Sequence, residues 1–83
     1  MIYEYTTDLA AQMGIKLSKT TLKGGQKLGC YDAYLLSLES NGKLVSEFIH
    51  QSDLDSLKAG SDCAWLEIKV KGALSRLQIQ LSQ

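Results

Sequence analysis

The stretch CAWLEIKVKG, residues 63–72, decides how the second half of the chain is read. Ala64, Leu66, Ile68 and Val70 alternate with Trp65, Glu67 and Lys69, and an alternation of period two is the signature of a half-buried strand. Read this way, residues 63–70 pair with residues 75–82 across K-G-A-L to form a closing hairpin. Ile68 then meets Leu77, Leu66 meets Ile79, and Ala64 lies opposite Leu81. The other face collects Trp65, Glu67 and Lys69 beside Arg76, Gln78 and Gln80. That places the only tryptophan among charges. Two accounts fit such a residue: an amphipathic contact under the N-terminal segment with Tyr3 and Tyr5, or an anchor for a partner.

Upstream stands the strongest local signal, Asn41-Gly42 between two apolar runs, which predicts a β-hairpin. A two-residue loop pairs Leu36 with Glu47 and Leu38 with Val45, setting a carboxylate among aliphatic side chains. A three-residue loop with Gly42 as a left-handed bulge pairs Leu36 with Phe48 instead. It gathers Tyr34, Leu36, Leu38, Leu44 and Phe48 on one face, and on that ground the bulged register is preferred. Leu35, Val45 and Ile49 then occupy the opposite face, so part of the hairpin is apolar on both sides. Residues 51–60 predict a two-turn helix capped by Ser52, with Asp53 and Asp55 in its first turn, Lys58 in its last and Gly60 as its stop.

Nearer the N-terminus, residues 1–5 suit a short strand, with poorly distinguished faces. A short helix from Thr7 or Asp8 ends at Gly14. Ile15 and Leu17 alternate with Lys16 and Ser18 as in a strand, the pattern breaks at Thr20-Thr21, and Gly24-Gly25 suits a tight turn. The predicted order is therefore α-β-β-β-α-β-β. This is an α+β fold with a small, mostly antiparallel sheet of about five strands and two short helices.

With 83 residues the chain is expected to form one domain over residues 1–83, with a core that is marginal for its size. Nine basic and nine acidic side chains cancel, so no domain-wide basic footprint for nucleic acid exists, and no self-repulsion opposes association. No secretory signal, lipidation motif or membrane-spanning run is visible, which sets the expectation of a cytoplasmic protein that does not enter the membrane. In that compartment Cys30 and Cys63 are expected to be reduced.

Little in the spacing supports catalysis. His50 with Cys63 would supply a base and a nucleophile, but no nucleophile elbow or cysteine signature surrounds them. One histidine and two separated cysteines do not make a zinc motif, so no metal or cofactor is expected. The K-G-G-Q-K-L-G segment lacks the spacing of a phosphate loop and serves better as a turn. Ala10, Gly14 and Ile15 stand as in a helix-turn-helix turn, which would make Lys16, Lys19 and Lys23 phosphate or base contacts on a recognition helix. Leu17 and Thr20 fit that pattern poorly, and the helix that should precede it is missing.

Three functions follow in order. The first is a non-catalytic protein-interaction module, homodimeric and presenting a sheet face centred on Trp65, Lys69 and Arg76 to itself and to an unidentified protein. The second is a small nucleic-acid-binding regulator using Lys16, Lys19 and Lys23, or the face of Trp65, Lys69 and Arg76. The third is a ligand-binding or catalytic domain built on His50 and Cys63.

Overall fold

The computed structural model describes residues 2–24, 32–60 and 63–83. Its elements are α1 (Ile2–Gln12), β1 (Lys19–Gly24), β2 (Ala33–Ser40), β3 (Lys43–His50), α2 (Gln51–Ala59) and α3 (Ala64–Leu81). The class is α+β, as the sequence predicts. The described residues form a sheet of three antiparallel strands in the order β1-β2-β3 rather than five, and three helices rather than two.

The difference lies in residues 63–82. They form a single 18-residue helix, and the predicted closing hairpin does not exist. Leu66, Val70, Ala73, Leu74 and Leu77 are buried, at steps of three and four residues that follow the helical turn. The apparent alternation covers only four apolar residues, and two of them, Ala64 and Ile68, are exposed. Helix-forming Ala, Leu, Glu, Lys, Gln and Arg predominate over β-branched residues, and Lys71 lies 3.6 Å from Glu67 one turn earlier. K-G-A-L is the middle of this helix.

The N-terminal helix begins earlier than predicted, at Ile2, and buries Ile2, Thr6, Leu9 and Ala10 along one stripe. Gly14 ends it with φ of 74°. The Ile15 amide donates to the Ala10 carbonyl at 2.8 Å and the Gly14 amide to that of Ala11 at 3.1 Å, a Schellman cap that draws Ile15 into the core. Residues 15–18 are not a strand. β1 starts at Lys19 and runs through Thr20-Thr21, where the alternation was read as broken. Gly24 pairs with Tyr34, so the connection spans residues 25–32 and is not a two-residue turn at Gly24-Gly25. Gly25 and most of the K-G-G-Q-K-L-G segment lie outside the described residues, as does Cys30.

The β2–β3 hairpin closes through two residues, Asn41 (φ 53°) and Gly42 (φ 81°), both in the left-handed region that suits the twist of the strands. Leu36 therefore faces Glu47 and Leu38 faces Val45. This is the register that sequence reasoning set aside. In it the Glu47 carboxylate lies at the rim of the sheet, where Arg76 Nη2 meets it at 3.2 Å. Leu36, Leu38, Val45 and Ile49 consequently lie on the inner face and pack with Leu9, Ala10, Leu66, Val70, Leu74 and Leu77 in one core. The outer face carries Leu35, Leu44 and Phe48 among Thr21, Ser37, Ser46 and Glu39. Lys19 and Lys23 stand at its β1 side.

α2 begins at Gln51, and its cap falls two residues before the expected Ser52. His50 is its N-cap residue, and the Asp53 carboxylate accepts the His50 amide at 2.9 Å. Gly60, with φ of 71°, ends the helix as predicted.

Candidate functional site

Trp65, Lys69 and Arg76 share one side of a helix instead of a sheet face. Their steps of four and seven residues keep them within a narrow arc of α3, and Gln80 continues the row. Three of the four are occupied inside the chain. Lys69 Nζ lies 3.2 Å from Asp53 Oδ2 and 3.1 Å from His50 Nδ1. Arg76 Nη2 donates to the Ser46 carbonyl at 2.9 Å as well as to Glu47, and Gln80 Nε2 stands 3.5 Å from the Leu44 carbonyl.

These carbonyls belong to the outer edge of β3. A two-residue loop makes Ser40–Lys43 and Leu38–Val45 the hydrogen-bonded pairs, so Leu44 and Ser46 turn their backbone groups away from β2. Two side chains of α3 thus occupy carbonyls on an edge that would otherwise be open for strand pairing. Lys69 and Arg76 brace α3 against β3 and α2, whereas only Trp65 remains turned to solvent, at 74% exposure.

Around Trp65 the sequence hides a second pattern. Trp65, Ile68, Gly72, Ser75 and Ile79 recur at three and four residues on the side of α3 opposite the core. Ile68 and Ile79 are each 61% exposed, so α3 has two apolar faces, one buried and one not. Ile68 and Ile79 were assigned to the core of the supposed hairpin. Only a helical period would have revealed them as exposed.

The His50–Cys63 pairing is not what the structure assembles. Lys69 and Asp53 engage His50. Cys63 precedes α3 and lines a recess of about 160 Å³ with Ser52, Asp53, Ser56, Trp65 and Leu66, which His50 does not line. Burial alone would raise the Asp53 carboxyl. The His50 amide and the Lys69 ammonium outweigh it and hold the group below the ordinary carboxylate range. The three groups therefore form a structural clasp at the start of α2. Among the described residues no cluster of histidine, cysteine and carboxylate side chains could hold a metal ion.

Lys16, Lys19 and Lys23 do not form a recognition helix, since Lys19 and Lys23 lie in β1 and Lys16 in the connection before it. The Lys16 carbonyl accepts Ser40 Oγ at 2.7 Å, which ties that connection to the end of β2. No helix among the described residues is long and apolar enough to cross a membrane. No protein-family model matches the chain, and neither a curated protein nor a solved structure matches it.

Proposed function

We propose that this domain is a non-catalytic protein-interaction module that acts as a homodimer, with the outer face of α3 as its binding surface. The observation that carries this is the apolar row Trp65, Ile68 and Ile79 standing in solvent on the side of a helix whose opposite side is fully committed to the core. Tryptophan in such a setting is a frequent anchor of protein interfaces. With Lys69 bound to Asp53 and Arg76 to Glu47, little free positive charge borders the row, which favours a protein surface over nucleic acid.

Light scattering coupled to size exclusion over a dilution series tests the reading. A dimer at micromolar concentration that Trp65→Ser converts to a folded monomer is the expected result. A wild-type chain that stays at 9.1 kDa throughout overturns self-association. A mobility shift with mixed-sequence duplex or single strands, abolished by Lys19→Glu with Lys23→Glu, would replace this reading with nucleic-acid binding through the open sheet face.

A further inference from the structure

We infer that the second copy packs on α3 in antiparallel orientation, with the two-fold axis passing between Gly72 and Ser75. This rests on the dimeric reading above and adds the arrangement of the two chains. Positions 65, 68, 72, 75, 79 and 82 form a heptad seam, and antiparallel seams pair each first position with a fourth position of the partner helix. Applied to α3 against itself, that rule matches Ile68 with Ile79 of the other copy, Gly72 with Ser75, and Trp65 with Ser82. All three matches share one centre, as a self-complementary two-fold interface requires. The bulky residues fall towards the ends and the small ones at the middle, so the helices can approach closely where they cross. At Gly72 nothing lies within 4 Å of an added Cβ, so the space above the helix centre is open.

Area and charge agree with this occupant. Taking about 250 Å² for an indole and about 190 Å² for each isoleucine, Trp65, Ile68 and Ile79 leave about 400 Å² open per chain. Two copies with the flanking stems of Lys71, Ser75 and Gln78 reach about 1,200 Å², the lower bound of a specific interface. The seam runs about 27 Å along an 18-residue helix. Each cation at its margins has its own acid in the same chain: Lys69 with Asp53, Lys71 with Glu67, and Arg76 with Glu47. A second copy therefore meets no bare like charge.

Cysteine cross-linking in the full chain decides the arrangement. Cys30 and Cys63 are replaced by serine, and Ile68→Cys and Ile79→Cys are introduced singly. On mixing and mild oxidation, the antiparallel seam yields the 68–79 cross-linked dimer in large excess over 68–68, whose partners are about 16 Å apart along the axis. Gly72→Lys, which faces solvent in the monomer, should weaken association at least tenfold while leaving the thermal melt of the dilute monomer undiminished. A dominant 68–68 product refutes the antiparallel arrangement and leaves the dimer standing. A wild-type dimer indifferent to Gly72→Lys places the interface elsewhere, which refutes the inference and the choice of the α3 face while self-association stands. A monomeric wild-type chain refutes both readings.

Discussion

Replacing Gly72 by alanine should make the folded monomer more stable. Gly72 sits at the centre of α3 with an ordinary helical backbone, absent from the positive-φ glycines, and the new methyl group meets nothing within 4 Å. No packing is lost and no clash is introduced. What remains is the backbone entropy that glycine sacrifices in a helix, about 0.5–1 kcal/mol relative to alanine. For a chain of 83 residues this corresponds to a rise in Tm of about 2–8 °C. The comparison belongs in an Ile68→Lys background, where self-association cannot contribute, by thermal melts and urea titration followed by circular dichroism. An unchanged m value with a higher midpoint is the expected signature. Were residues 63–82 a hairpin turning at K-G-A-L, the same substitution would fall in the turn and be neutral or harmful. A lower midpoint would therefore refute the helical account of this segment.

Leu66→Ala, at a residue 1% exposed, should cost about 3–5 kcal/mol and unfold much of the population, whereas Trp65→Ala next to it should cost at most about 1.5 kcal/mol in melts of the monomer. Arg76→Ala should lower stability by about 1 kcal/mol, because the Ser46 carbonyl and Glu47 lose their partner; an unchanged urea midpoint would show that the clasp on β3 contributes nothing. The Asp53 carboxyl is held low by folding, so its contribution is complete above the ordinary carboxylate range and fades as pH falls through its lowered value. The stability gap between wild type and Asp53→Asn should accordingly narrow as pH is lowered through and below the ordinary carboxylate range in paired urea titrations.

The parts of the fold legible in the sequence were those governed by neighbouring residues. Asn41-Gly42 marks the hairpin because two consecutive left-handed residues need those side chains, and Gly14 and Gly60 mark helix ends for the same reason. The hairpin register was misread because its decisive partner is remote: Glu47 looked intolerable opposite Leu36 until Arg76, 29 residues later, arrived to meet it. The segment 63–72 misled for a different cause. Its four alternating apolar residues satisfy a strand over one short window, and only the continuation through Ala73, Leu74 and Leu77 restores the helical period. Alternation puts Trp65 on the face opposite Leu66 without saying whether that face is covered, and the structure leaves it exposed. Lys69 and Arg76 stay on its side in strand and helix alike, while only the helix adds Ile68 and Ile79.

The coverage of β3 by α3 also has a dimension in time. During synthesis the Ser46 and Leu44 carbonyls leave the ribosome 30 and 36 residues ahead of the Arg76 and Gln80 side chains that reach them. At 5–20 residues per second that interval is about 2–7 s. Throughout it the three strands exist without the helix that supplies Leu66, Val70, Leu74 and Leu77 to their inner face. A nascent chain caught in this window exposes an apolar sheet face and an unguarded strand edge together, the combination that invites pairing with a neighbouring nascent copy. Any slowing of synthesis during that interval would lengthen the exposure, so the yield of soluble protein becomes sensitive to synonymous changes that leave every residue in place.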